Sequence, residues 1–78
     1  MSGEVFEVEL DVRRLACPLP ILRAKKSLST MSAGQVLKVV ATDKGSPKDF
    51  GDFCGKTGNE LLSSTAQGDE FVFLIRRR

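Results

Sequence analysis

The feature that most constrains the fold is a change of hydrophobic period on either side of Cys17-Pro18. Before this dipeptide, residues 5–12 alternate strictly, and the apolar set comprises Phe6, Val8, Leu10 and Val12. After it, apolar residues recur at spacings of three and four, at Ile21, Ala24, Leu28 and Met31. The alternation predicts a half-buried strand, and the longer spacing predicts an amphipathic helix that ends near Gly34.

The rest of the chain reads as a strand, a helix and a hairpin. Residues 35–41 are apolar except for Gln35 and Lys38 and predict a second, more deeply buried strand. A second helix is expected from Ser46-Pro47, with Ser46 as its cap and Pro47 at its first position. Its inward stripe would contain Phe50, Phe53 and Cys54, and Gly58 would end it. Residues 59–66 and 70–77 predict two strands joined by a tight turn at residues 67–69.

This order of elements predicts an α/β two-layer sandwich. Strand-helix-strand units favour parallel crossovers and a hairpin is antiparallel, so the order βαβαββ gives a mixed four-stranded sheet with two helices on one face. The 78 residues form a single domain, 1–78, which is too small for an enclosed substrate cavity of ordinary enzyme dimensions.

Composition argues against several functions. The chain has two cysteines and no histidine, and their spacing fits no zinc site, so we expect neither a metal nor another cofactor. The net charge of +2 is too small to indicate a broad basic surface for binding nucleic acid. We see no signal peptide and no apolar segment of transmembrane length, which favours a cytoplasmic protein with reduced thiols.

Cys17 is the candidate reactive residue. Pro18 suits the first helical position and Pro20 the first turn, which would put Cys17 at the N-cap. There the helix dipole would favour a nucleophilic thiolate. Three arginines could add positive potential: Arg13, Arg14 and Arg23.

Two observations limit what Cys17 could do alone. Pro20 stands where a Cys-x-x-Cys motif has its resolving cysteine, which disfavours disulfide cycling. The absence of histidine removes the usual general base of cysteine hydrolases. The simpler interpretation, that Cys17 is only a small residue on a turn, stays open. Cys54, among phenylalanines, is expected to be a buried and inert thiol.

The motif residues resemble those of a known family. Leu10-Asp11-Val12-Arg13 and the Cys-Pro-x-Pro segment Leu15-Ala16-Cys17-Pro18-Leu19-Pro20 are similar to the signature of the TusA (SirA-like) sulfur-carrier family. The resemblance extends over essentially the whole chain. It implies that Cys17 accepts persulfide sulfur, supported by Asp11, Arg13, Pro18 and Pro20, in a carrier that is not an independent catalyst.

The resemblance also implies the partners. A cysteine desulfurase or a rhodanese would load the sulfur, and a downstream relay or thiolating enzyme would receive it, for tRNA 2-thiouridine formation or other sulfur metabolism. We expect no direct nucleic-acid contact and a monomer, with Arg14, Leu19 and Arg23 contacting partners. The family usually has glycine at position 14; if that position needs a positive φ, arginine would be strained there.

Two other classes of function remain as alternatives. One is a thiol redox switch, in which Cys17 pairs with Cys54 or is oxidised alone. The other is a regulatory or RNA-binding module that uses residues 76–78 and the basic side of the first helix. Binding of tRNA that weakens with salt and ignores Cys17→Ser would favour the second.

Overall fold

The computed structural model describes residues 5–78, and it confirms a mixed four-stranded sheet with two helices. The elements in chain order are β1 (Val8–Val12), α1 (Leu19–Ser29), β2 (Val36–Ala41), α2 (Ser46–Thr57), β3 (Glu60–Gln67) and β4 (Glu70–Arg76). The strands lie in the order β1-β2-β4-β3. The fold class is therefore the predicted one, and the last strand in chain order lies inside the sheet.

The sheet topology brings two loops to one edge. β1 and β2 are parallel, and Val12 is paired with Ala41 at their carboxyl ends. β4 runs antiparallel to both β2 and β3, so Phe71 near its start is paired with Ala41. The loops that follow β1 and β2 therefore leave the sheet side by side. Residues that follow β1 and β2 can meet there, as is usual at the carboxyl ends of parallel strands.

Both helices cover the same face of the sheet. α1 contributes Ala24 and Leu28 to the core, and α2 contributes Phe50 and the residues near it. The sheet side of this core is formed by Val12, Leu37, Val39, Ala41, Phe73 and Ile75. Aliphatic and aromatic side chains of this size each stabilise the fold by about 1.5–3 kcal/mol when fully buried, so this single layer holds the molecule together.

The first strand is shorter than the alternation predicts. It begins at Val8, and Phe6, predicted on the core face, packs elsewhere: the Lys38 ammonium lies 5.2 Å from its ring centroid. A bend at Glu7 breaks the alternation. The Glu7 carboxylate accepts a 2.6 Å hydrogen bond from the Val36 backbone N–H, and the Glu7 N–H donates to the Val36 carbonyl at 3.0 Å. The expectation for Phe6 was wrong because the regular alternation ends at the Glu7 bend, where the Glu7 carboxylate bonds to the Val36 N–H.

The helix ends differ in detail from their predicted positions. α1 ends at Ser29, before the predicted end near Gly34, although Met31 still packs in the core. α2 has Gly45 as its N-cap, so Ser46 is the first helical residue. Its buried hydroxyl has no hydrogen-bond partner among residues 5–78. Gly58 ends α2 at φ 81° as predicted. Neither helix, within residues 5–78, is long and apolar enough to cross a membrane.

Candidate functional site

The segment from residue 13 to residue 18 connects β1 to α1 in two tight steps. The Leu15 N–H donates to the Val12 carbonyl at 3.3 Å, and the Leu19 N–H donates to the Ala16 carbonyl at 2.9 Å. The second step contains a cis peptide bond between Cys17 and Pro18. Cys17 is exposed at this corner, where the side chain of another protein can reach its sulfur.

Cys17 lies one residue outside the position predicted for it. The N-cap of α1 is Pro18, whose carbonyl accepts from the Leu22 N–H at 3.1 Å and so begins the intrahelical ladder. Pro20 does lie in the first turn, as predicted, and is buried. The effect of the helix dipole falls off within a turn of the helix end, and Cys17 precedes the N-cap by one residue.

Asp11 and Arg13 form a local clasp at the end of β1. The Asp11 carboxylate accepts bonds from the Arg13 backbone N–H and Nε, both at 3.0 Å, and from its Nη2 at 2.9 Å. A further bond, 3.2 Å long, joins Arg13 Nη1 to Glu70 at the start of β4. Hydrogen bonds from Arg13 lower the pKa of Asp11 to about 2, and those carboxylates raise the pKa of Arg13. The pair therefore shapes the turn, and the Arg13 charge is committed to carboxylates.

Arg14 adopts a backbone conformation that favours glycine. Its φ is 67°, in the left-handed region, and its N–H donates a 2.8 Å hydrogen bond to the Thr42 hydroxyl in the loop after β2. The sequence predicts strain at Arg14 if position 14 needs a positive φ, and the structure shows that its φ is positive. A non-glycine residue in this region costs about 1–2 kcal/mol, so the turn is held in place at some expense of stability.

Two carboxylates converge on Gly45, one from the loop after β2 and one from the start of α2. The Asp43 carboxylate accepts from the Gly45 N–H at 3.1 Å, and the Asp49 N–H donates to the Gly45 carbonyl at 3.0 Å. A Cβ atom built on Gly45 would lie 3.2 Å from Asp43 Oδ2 and 3.5 Å from Asp49 Oδ2. Both acids are partly buried.

The electrostatics of the thiol are opposite to those predicted. The Asp49 carboxylate, partial desolvation and the charge of Asp43 all raise the pKa of Cys17. The arginines expected to lower it do not act on it in this way, and Arg13 is paired elsewhere. A raised pKa favours the thiol form of Cys17 in the free protein.

The outward face of α1 presents an apolar and basic surface next to Cys17. Leu19 and Leu22 expose 43% and 54% of their area, and Arg23 beside them is exposed as well. Leu19 and Leu22 are three residues apart on the helix, so together they form a small exposed apolar patch. The predicted contact residues Leu19 and Arg23 thus lie together, whereas Arg14 lies on the preceding turn.

The second cysteine has a different setting. Cys54 is 6% exposed on the inner face of α2, within the hydrophobic core. Burial raises the pKa of its thiol. Both cysteines are free. Among residues 5–78, no group of three cysteine, aspartate or glutamate side chains could hold a metal ion.

Sequence reasoning missed four residues around the site: Thr42, Asp43, Asp49 and Leu22. A signal for the first three was available in the predicted topology, because loops that follow adjacent parallel strands meet at one edge. Leu22 lies between the core-facing positions of α1, and an isolated leucine of this kind carries no signal until its neighbours are known.

Comparison with known proteins bears on this arrangement. A family model described as Sulfurtransferase TusA matches residues 8–77. The sulfur carrier protein TusA of Allochromatium vinosum is 60% identical over 72 residues, which cover 92% of this chain and 95% of that protein. Its counterpart in Pseudomonas entomophila is 33% identical over 78 residues, covering 100% of this chain and 98% of that protein.

The fold has a solved counterpart as well. A SirA-like protein from Desulfitobacterium hafniense has a crystal structure that matches with a TM-score of 0.78 at 22% identity, covering 90% of this chain and 96% of that one. At this identity the likeness concerns the fold. Together with the family match and the sequence identities, it leads to one conclusion: this chain belongs to the TusA family of sulfur carrier proteins.

Proposed function

We propose that Cys17 carries sulfur as a persulfide between a donor protein and an acceptor protein. The observation that supports this most directly is the contrast between the two free thiols, since Cys17 is exposed at the β1–α1 turn and Cys54 is buried. A carrier needs a sulfur that two different partners can reach in turn. Its family membership supplies the sulfur chemistry.

Each transfer is a thiol-persulfide exchange with no net oxidation. The Cys17 sulfur, after losing its proton, attacks the outer sulfur of the donor's cysteine persulfide. A new S–S bond forms on Cys17, the donor's S–S bond breaks, and its electron pair stays on the donor cysteine, which takes up a proton. In the onward step an acceptor thiolate attacks the outer sulfur on Cys17, and Cys17 is the leaving group.

The donor we propose is a cysteine desulfurase or a rhodanese, and the acceptor is a downstream relay protein or a thiolating enzyme. tRNA 2-thiouridine formation is one such destination. Contact with these proteins would involve Leu19, Arg23 and Arg14, with Asp11, Arg13, Pro18 and Pro20 fixing the shape of the turn. We propose a monomer that acts in the cytoplasm, where thiols stay reduced, that uses no cofactor of its own and that does not turn over without its partners.

The test is intact-protein mass spectrometry after the reduced protein is incubated with a cysteine desulfurase, pyridoxal phosphate and cysteine. We expect a reductant-labile gain of about one sulfur atom. Cys17→Ser should abolish this gain, and Cys54→Ser, the matched control at the buried thiol, should retain it. Circular dichroism of both variants would show that the fold is intact.

The other outcomes decide between the remaining hypotheses. A labile sulfur that persists in Cys17→Ser would refute the assignment of Cys17. No gain with the desulfurase, followed by a gain with a rhodanese and thiosulfate, would identify the donor class. No gain with either donor would contradict the proposal and favour a binding module.

A further inference from the structure

A cleft lies between the carboxyl ends of the two helices, at the end of α1 away from Cys17. Its volume is about 310 Å³, and the core residues Leu28 of α1 and Phe53 of α2 form its floor. Cys17 precedes α1, and Leu28 lies roughly 14 Å along the helix axis from Leu19, at about 1.5 Å per residue. The cleft is therefore separate from the turn that holds the reactive thiol.

Three cations line this cleft: Lys25, Arg77 and Arg78. Among residues 5–78 no carboxylate side chain lines it, and none of the three cations forms an ion pair. Arg76, the first arginine of the terminal triplet, is different, because it pairs with Glu60. The positive charge of the cleft is thus left without a carboxylate partner in the part of the chain that the structure describes.

The helix ends hold two of these cations in place. Arg77 Nε donates to the Leu28 carbonyl at 2.8 Å, and Arg78 Nη1 donates to the Thr57 carbonyl at 3.3 Å. Each helix carboxyl end carries about −0.5 of an elementary charge, so the two ends offset one of the three positive charges. A chain terminus at Arg78 would offset one more and still leave the cleft positive.

The donors that remain point to an anion with a carboxylate's geometry. Within residues 5–78, Arg77 Nη2, Arg78 Nη2 and Lys25 Nζ have no hydrogen-bond acceptor. Arginine binds carboxylates through paired N–H groups, and here the backbone carbonyls already fix the direction of each guanidinium. A carboxylate that enters the cleft therefore meets charged donors that are ordered in advance.

Two features favour an acidic protein segment over a nucleic acid. Phe53 is 9% exposed and meets Phe50 edge-on, so it offers no open ring face on which a base could stack. The cations are gathered in one cleft instead of along a groove that could follow a phosphate backbone, and Glu60 lies next to the lining residue Asn59. Carboxylate side chains of a protein match this arrangement better.

We propose that the cleft between the carboxyl ends of α1 and α2 binds an acidic segment of a partner protein, whose carboxylates contact Lys25, Arg77 and Arg78. This inference goes beyond the proposed function, because binding here requires neither sulfur nor Cys17. A protein held in this cleft leaves the β1–α1 turn uncovered. One protein can then be bound at this end while another reaches Cys17.

The experiment is an NMR titration of the ¹⁵N-labelled protein with a short glutamate-rich peptide, and with the same peptide carrying glutamine as the control ligand. Lys25→Gln removes one cleft charge without removing a hydrogen bond to any described residue. Lys26→Gln is its matched control, since Lys26 is the next residue of α1, carries the same charge, is exposed and lies outside the cleft. Arg78→Gln provides a second cleft variant.

We expect the glutamate peptide to shift the amide signals of Ser29, Asn59 and Arg77, which line the cleft. Binding should weaken several-fold in Lys25→Gln and in Arg78→Gln, and it should weaken as salt is raised. Lys26→Gln should bind as wild type does, and the glutamine peptide should leave the spectrum unchanged. Cys17→Ser should also bind normally, so a failure of the sulfur-carrier proposal leaves this result unaffected.

Four results would overturn the inference. The cleft amides would not respond to the glutamate peptide, or Lys26→Gln would weaken binding as much as Lys25→Gln, which would indicate diffuse surface charge. An oligouridylate that shifts the cleft amides at lower concentration than the peptide would assign the site to nucleic acid. Inorganic phosphate that reproduces the same shifts with equal affinity would assign it to small anions.

Discussion

The two cysteines of this chain lie in regions that are built on opposite principles. At the β1–α1 turn, the pKa of the exposed Cys17 is raised by a facing carboxylate, whereas on the inner face of α2 the pKa of Cys54 is raised by burial. Both pKa values are raised, but only the cause at Cys17 can be removed while the protein stays folded. Another molecule can neutralise a carboxylate at the surface, whereas only unfolding can undo burial. A raised thiol pKa therefore does not by itself mark an inert cysteine.

The two regions also differ in backbone conformation, which is strained at the turn and regular in α2. The turn contains Arg14 in the left-handed region. The inner face of α2 is regular helix, and its Phe50 ring stacks on Phe73 at 4.7 Å and meets Phe53 edge-on at 6.5 Å. The core region supplies stability, and the turn gives some up to hold its shape. The following variants test this contrast, from the largest expected effect to the smallest.

Removing an aromatic ring from the core should have the largest effect. Phe50 is 0% exposed and stacked, so Phe50→Ala should lower the free energy of unfolding by about 3–5 kcal/mol. Leu19→Ala at the turn should change it by less than about 0.5 kcal/mol, because 43% of that side chain is already exposed. Urea denaturation of both variants measures the difference. Comparable losses would mean that the turn contributes to stability as the core does.

Serine substitution compares the two thiols directly. Cys54→Ser places a hydroxyl in a site that is 6% exposed, and it should destabilise the fold by about 1–3 kcal/mol. Cys17→Ser should stay within about 0.5 kcal/mol of wild type, since the side chain is exposed. Thermal unfolding monitored by circular dichroism distinguishes them. A large loss from Cys17→Ser would show that this thiol has a structural role.

Removing the backbone strain at Arg14 should have the smallest effect on the free energy of unfolding, and this effect should be stabilising. Arg14→Gly removes the penalty of a positive φ and should stabilise the fold by about 1 kcal/mol. Arg14→Ala serves as the control, because it removes the charge but keeps the strain and should leave stability nearly unchanged. Equal stabilisation by the two substitutions would place the cost in the arginine charge instead of the backbone.

The sequence predicted the architecture well and the electrostatics of the site poorly. The spacing of apolar residues and the positions of glycines predicted the helices and strands, because both are properties of a short stretch of sequence. Gly58 ends α2 as expected, and the turn after β3 contains Gly68 at φ 64°. The corrections at Phe6 and Ser46 arose where a side-chain bond or a one-residue shift of a cap changed the local geometry. The pKa of the thiol is raised by Asp49, which is 32 positions from Cys17 in the sequence, so no local pattern around Cys17 could have predicted this shift.

The interior position of β4 has a consequence for how the protein is made. β4 is the last strand to leave the ribosome, and it lies between β2 and β3 and pairs with both. β2 and β3 therefore have no neighbour on their facing sides until residues 70–76 arrive. The Arg13 bond to Glu70 also waits for this segment. Most of the chain, Cys17 included, is therefore synthesised before the sheet that supports the turn can close.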